Sequence, residues 1–83
     1  MIRFRLRELM TDKAFKENRR ITFEEVSTET GVNRTTMSKM VNTRGYNTTT
    51  DNLDRLCRYF KCSVGELIEY VELDDEGSSE SVE

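Results

Sequence analysis

The chain has 83 residues, of which 35% are hydrophobic and 35% are charged. This length allows one small core, and the composition is that of a globular domain with no apolar run near the ~20 residues that span a bilayer. The net charge of −3 is unevenly divided: residues 1–63 carry all 13 Lys and Arg against eight acids, whereas residues 74–83 carry five acids and no base. We therefore expect a moderately basic domain over residues 1–73 and an acidic disordered tail over residues 74–83.

The residue types also argue against catalysis and against a bound metal. There is no His, and the two thiols, Cys57 and Cys62, are too few for a closed zinc site. Without His, a Gly-rich phosphate loop or clustered carboxylates, we expect no catalytic residues, no metal and no cofactor. Five residues apart on a helix, the thiols should point in different directions unless the helix ends between them. We expect them to be buried and reduced in a cytoplasmic protein that does not associate with a membrane.

The N-terminal segment "MIRFRLR" alternates apolar residues with Arg, which is the periodicity of a strand and predicts a short extended arm. Apolar residues then recur at helical spacing, which predicts a first helix near residues 6–13. Residues 14–20 are polar and unpatterned, so they are predicted to form a loop whose Phe15 folds back onto the core.

Capping signals place the second helix. Thr22 and Glu25 have the spacing of a capping box, which predicts a helix over about residues 23–30. Gly31 should end this helix in the left-handed conformation, which costs glycine little.

The third and fourth helices follow at once. Asn33 is a favourable N-cap and predicts a helix over residues 34–42, with Met37 and Met40 facing inward. After a loop, a fourth helix should start after Thr49 or Thr50.

A second capping box, formed by Ser63 and Glu66, predicts a fifth helix through "VGELIEYV", residues 64–71. The expected fold is therefore all-α, with five short helices preceded by an extended arm.

The second helix, the turn at Gly31 and the third helix together have the form of a helix-turn-helix. Val32 would fill the inside of the turn. The polar face left on the third helix contains Arg34, Thr35, Ser38 and Lys39. When such a helix enters a major groove by its N-terminus, side chains at these positions reach the edges of the bases.

Two stretches, "ITFEEVSTETGVNRTTMSKMVN" and "NLDRLCRYFKCSVGELIEYV", resemble the Cro/phage-repressor-like (XRE-like) helix-turn-helix regulators. The resemblance covers residues 5–73. It implies a phage-repressor-like five-helix domain, in a compact stand-alone member of the family. It also implies a sequence-specific transcriptional regulator, most simply a repressor that binds a two-fold operator in double-stranded DNA.

By position, the resemblance implies roles for individual residues. The base-reading positions are Arg34, Thr35 and Lys39. The positions that contact the DNA backbone or support the readers are Asn33, Ser38, Arg44, Thr48, Thr49 and Thr50. The chain departs from the family at Phe23, where the family commonly has a Gln that contacts the DNA backbone.

Several alternatives remain open from the sequence. A homodimer is expected, through the fifth helix with help from the arm, or through the arm pairing with its symmetry mate. The chain could instead be an antitoxin or other partner-binding regulator that uses the acidic tail or the fifth helix. It could also have lost DNA binding, a hypothesis that Phe23 alone supports. Finally, the tail's charge could weaken DNA binding in cis.

Overall fold

The computed structural model describes residues 1–72, so the acidic tail predicted over residues 74–83 lies outside the described residues. The elements in chain order are β1 (Ile2–Phe4), α1 (Leu6–Glu17), α2 (Phe23–Thr30), α3 (Arg34–Asn42), α4 (Thr50–Phe60), α5 (Val64–Leu67) and β2 (Ile68–Tyr70). The prediction of a five-helix domain with an extended N-terminal segment is confirmed. No helix within residues 1–72 is long and apolar enough to cross a membrane.

One hydrophobic core holds the five helices together. Every helix contributes at least one side chain that is almost fully removed from solvent, and within residues 1–72 no polar side chain is buried with them. The core residues are Phe4, Leu6, Ile21, Val26, Val32, Met37, Met40, Leu56 and Leu67. Because α2, the turn and α3 all supply core residues, the orientation of α3 is set by the same packing that stabilises the domain.

Side-chain caps fix the starts of three helices. The side-chain oxygens of Thr22, Asn33 and Thr49 each accept a hydrogen bond from a backbone N–H in the first turn that follows, at 3.1, 2.7 and 3.1 Å. The reciprocal half of the capping box predicted at Glu25 is replaced, because its carboxylate accepts two hydrogen bonds from Arg19 instead. The capping box at the start of α5 is present.

The prediction that α1 ends near residue 13 and that a loop follows is wrong. The helix continues to Glu17, where Lys13 donates to the Glu17 carboxylate at 2.7 Å, and it ends at Asn18 in the left-handed conformation with φ of 54°. A polar segment without Gly or Pro can extend a helix even when it lacks an apolar stripe. Phe15 therefore lies on the helix surface, with 88% of its side chain exposed, and does not fold back onto the core.

The fifth helix is also shorter than predicted. It ends at Leu67, and the next three residues form β2, which pairs antiparallel with β1 in the register Ile2↔Tyr70, Arg3↔Glu69 and Phe4↔Ile68. Arg3 forms an ion pair with Glu69 directly across this ladder. The arm is therefore a strand paired within its own chain, and the fold contains a two-stranded sheet in addition to the predicted helices.

The two cysteines lie on either side of the end of α4. Lys61 adopts the left-handed conformation with φ of 55°, and the Cys62 N–H donates to the Cys57 carbonyl at 3.1 Å. Because the helix ends between the two cysteines, the chain reversal places the thiols beside each other, which is the exception that the sequence left open; the expected full burial is not found. Both are free and half-buried. Burial, with a smaller contribution from the neighbouring Cys57, raises the pKa of Cys62 to about 11, so its thiol is protonated at neutral pH.

The turn glycine supplies a stability test. Gly31 has φ of +81°, and a Cβ added there would lie 2.6 Å from Nη1 of Arg55. Arg55 can move aside only by losing its hydrogen bond to the Thr30 carbonyl. We expect Gly31→Ala to lower the free energy of unfolding by ~1–2 kcal/mol, measured by urea titration followed by circular dichroism.

Gly65→Ala is the matched control, because the nearest atom to an added Cβ is 3.9 Å away and the φ of Gly65 is not positive. It should change the free energy of unfolding by less than ~0.5 kcal/mol. Equal effects of the two substitutions would show that the left-handed turn does not constrain the fold.

Candidate nucleic-acid interface

A network of short hydrogen bonds shapes the turn between α2 and α3. The Gly31 N–H donates to the Ser27 carbonyl at 2.8 Å, and Val32 is buried beneath the turn. The Thr30 hydroxyl donates to the Val26 carbonyl at 2.7 Å and accepts from the Val32 N–H at 3.0 Å. The backbone on both sides of Gly31 is thus satisfied, and α3 leaves the turn in a defined direction.

A side chain from α4 supports the same turn. Arg55 donates from Nη1 to the Thr30 carbonyl at 3.2 Å and from Nε to the Asp51 carboxylate at 2.9 Å. Neither Thr30 nor Arg55 was identified from the sequence. The four-residue spacing of Asp51 and Arg55 was the only signal, and it predicts a helical ion pair rather than a contact with the turn.

The outer face of α3 presents the residues that the sequence singled out. Met37 and Met40 anchor the opposite face in the core, at 0% and 3% exposure. Arg34, Thr35 and Lys39 are all exposed, and Ser38 is half-buried and accepts from the Asn42 amide at 3.3 Å. Arg34 and Ser38, like Thr35 and Lys39, are four residues apart, so these side chains project from one side of the helix.

The positive charge on this face and the following loop is not neutralised within the chain. Residues 30–50 contain three basic residues, Arg34, Lys39 and Arg44, and no Asp or Glu. Within residues 1–72, none of these three has a carboxylate within ion-pair distance. Of the ten basic residues elsewhere, five form ion pairs: Arg3, Lys13, Arg19, Arg55 and Arg58. The surface from α3 to the loop is therefore suited to a polyanion.

The start of α4 offers a weaker anion site than expected. Thr49 caps the helix through its hydroxyl oxygen, and the half-buried Thr48 accepts from the Asn52 amide at 3.1 Å. The hydroxyl hydrogens and the backbone N–H groups of Thr50 and Asp51 remain suitable as donors to a phosphate, whereas the Asn52 N–H is used by the cap. However, the Asp51 carboxylate lies in this first turn and would repel an anion.

Phe23 has a structural role. Its side chain is partly buried and packs against the core at the start of α2. It therefore cannot take the part of the Gln common at this position in the family, and α2 begins with an apolar contact instead of a polar side chain.

The comparison with protein families agrees with this geometry. A family model described as Cro/C1-type HTH DNA-binding domain matches residues 5–72. The match includes all five helices, the turn and β2. No curated protein and no solved structure matches the chain.

The geometry predicts which residues of this surface stabilise the fold. Asn33→Ala removes the cap of α3 and should lower the free energy of unfolding by about 1 kcal/mol. Arg34→Ala and Lys39→Ala should change it by less than ~0.5 kcal/mol, because both side chains are exposed and neither forms an ion pair within residues 1–72. Urea unfolding of the three variants measures this difference. A large loss with Arg34→Ala or Lys39→Ala would mean that the residue serves the fold.

Proposed function

The chain belongs to the Cro/C1-type helix-turn-helix DNA-binding family, and from that premise we propose that it is a sequence-specific transcriptional regulator, most simply a repressor. The observation that carries the proposal is the exposed face of α3, where Arg34 and Lys39 stand without ion-pair partners within residues 1–72, in a stretch free of carboxylates. The helix is held rigidly, because its face opposite Arg34 and Lys39 is buried in the core.

We assign base reading to three residues of α3. The Arg34 guanidinium, at the first helical position, has the planar fork that matches the O6 and N7 acceptors of guanine. Lys39, five residues further along the helix, can reach the same kind of acceptors, and the Thr35 methyl can contact the methyl group of thymine.

The remaining polar residues would hold α3 in register on the DNA backbone. Asn33 and Ser38 flank the readers, and Arg44 is exposed in the loop that follows α3. The donors at the start of α4, Thr48, Thr49 and Thr50, would complete a phosphate contact. Such contacts set orientation and add salt-dependent affinity without reading sequence.

We further propose that the protein acts as a homodimer on a two-fold operator in the cytoplasm. One domain presents a single recognition helix, and two domains related by a two-fold axis can read half-sites ~34 Å apart. The exposed apolar side chains of Val64 and Tyr70, at 56% and 72% exposure, favour the α5–β2 region as the subunit contact.

Selection of binding sites from a random duplex library tests base reading. We expect a two-fold motif, and we expect Arg34→Ala and Lys39→Ala each to relax discrimination at one position by ~1–3 kcal/mol. Arg58→Ala is the matched control, because it removes one positive charge from a side chain on α4 that is 79% exposed and has no assigned DNA contact.

A uniform loss of affinity with a shallower salt dependence would reassign that residue to the DNA backbone. If no motif emerges and binding is weak and driven only by salt-sensitive attraction, sequence-specific regulation is wrong. The partner-binding alternative would then take its place.

The subunit contact has its own test. Tyr70→Glu places a charge in the proposed interface and should shift the monomer–dimer equilibrium toward monomer by at least about tenfold, measured by sedimentation equilibrium. Phe15→Glu makes the same kind of change at an exposed aromatic residue on α1, at 88% exposure, and should leave the equilibrium unchanged. If both variants dimerise like the parent chain, the contact lies elsewhere.

A further inference from the structure

A large groove lies beside the sheet and is not used by the proposed DNA contacts, except at one end. Its volume is about 640 Å³, and it is bounded by β1, the first turns of α1 and the loop after α3. Phe4, Val41 and Val71 contribute apolar surface, and Arg7 and Arg44 contribute positive charge. A groove of this size, apolar with a few charged groups, is suited to a short peptide segment.

The groove has two guanidinium groups available. Arg3 also borders it, but it is bonded to the carboxylates of Glu8 and Glu69. Arg7 and Arg44 form no ion pair within residues 1–72, and Asp12 is the remaining carboxylate of the lining. The lining therefore carries a small positive excess, held by two side chains that can each donate two parallel hydrogen bonds to a carboxylate.

One wall of the groove is an open strand edge. Met1 and Val71 exchange hydrogen bonds at 2.9 and 2.8 Å, and the Arg5 N–H donates to the Leu67 carbonyl at 2.7 Å. Because hydrogen-bonded pairs alternate in an antiparallel ladder, the backbone groups of Ile2 and Phe4 point away from β2. Both residues line the groove, so an extended segment lying there would find backbone donors and acceptors as well as charge.

The chain itself supplies a segment with matching chemistry. Val71 lines the groove, and the described residues end one position later. The following segment, residues 73–83, has the sequence "LDDEGSSESVE", with five acids and no base. An eleven-residue segment can extend ~36 Å, far more than is needed to lie along a groove that begins beside its point of attachment. We propose that residues 73–83 dock in this groove in cis, with their carboxylates on Arg7 and Arg44.

Docking there would compete with DNA. Arg44 is one of the residues that we assign to the DNA backbone, so this consequence rests on the proposed function. A segment tethered at Glu72 acts at a high effective concentration, so even weak contacts with Arg44 would oppose DNA binding. The competition depends on charge and should disappear as salt is raised.

The test uses the full chain and a tail-neutralised variant carrying Asp74→Asn, Asp75→Asn, Glu76→Gln, Glu80→Gln and Glu83→Gln. Methyl NMR reports docking directly and needs no DNA. We expect the methyl resonances of Val41 and Val71 to differ between the two chains and those of Leu56, which is fully buried and does not line the groove, to coincide.

A single substitution distinguishes docking in the groove from a general effect of the protein's charge. Arg7→Gln should shift the groove resonances toward those of the tail-neutralised chain, since Arg7 lines the groove and has no assigned DNA contact. Arg20→Gln removes the same charge from an exposed side chain outside the groove and should leave those resonances as they are in the parent. Coincident Val41 and Val71 resonances in the parent and tail-neutralised chains would overturn docking.

DNA affinity tests the consequence. At low salt we expect the tail-neutralised chain to bind DNA about tenfold more tightly than the parent, with the two affinities converging at high salt. Shifted methyl resonances with equal DNA affinities would overturn the competition. If neither chain binds DNA, the proposed function fails, and the methyl resonances still decide whether the segment docks.

Discussion

The outward presentation of α3 depends on the left-handed backbone of Gly31. Its φ of +81° turns the chain sharply enough for α2 and α3 to share one core, with Val32 buried between them. Two polar contacts hold this conformation: Thr30 bridges the end of α2 to the turn, and Arg55 links the turn to α4. The turn is therefore part of the packed domain and not a hinge. A helix held this way can present side chains to a ligand without the entropy cost of ordering a loop.

The ion pairs also shape the charge of the domain's surface. Arg19 binds both Glu17 and Glu25, and hydrogen bonds from basic neighbours lower the pKa of each carboxyl below its usual value, so these pairs persist throughout the neutral range. Exposed pairs of this kind add little to stability. Their effect is on the electrostatic field, because the two carboxylates cancel the charge of Arg19 between α1 and α2, whereas Arg34, Lys39 and Arg44 have no ion-pair partner within residues 1–72. A chain with a net charge of −3 can thus present a locally positive surface.

Structural features that depend on residues close together in sequence were predicted correctly, whereas features that depend on contacts between distant residues were missed. Thr22, Asn33 and Thr49 identify helix starts because a cap contacts a backbone N–H only two or three residues away. The end of α5 could not be read in this way, because β2 forms on a partner strand 66 residues earlier, where Arg3 meets Glu69. The same reasoning applies to the candidate site. The polar face of α3 follows from helical spacing, whereas the support from Arg55 requires contact with a turn 25 residues earlier.

The pairing of β1 with β2 also determines which proposed DNA contacts residues 73–83 would oppose if they dock in the groove. The ladder brings the C-terminal end of the described chain beside the groove, and the groove meets the proposed DNA-binding surface at Arg44. Arg34, Thr35 and Lys39 do not line it. A segment lying there would therefore oppose the proposed backbone contact of Arg44 and leave the proposed base-reading face of α3 uncovered. Since backbone contacts carry affinity and base contacts carry specificity, such a device would alter how tightly an operator is held without altering which operator is chosen.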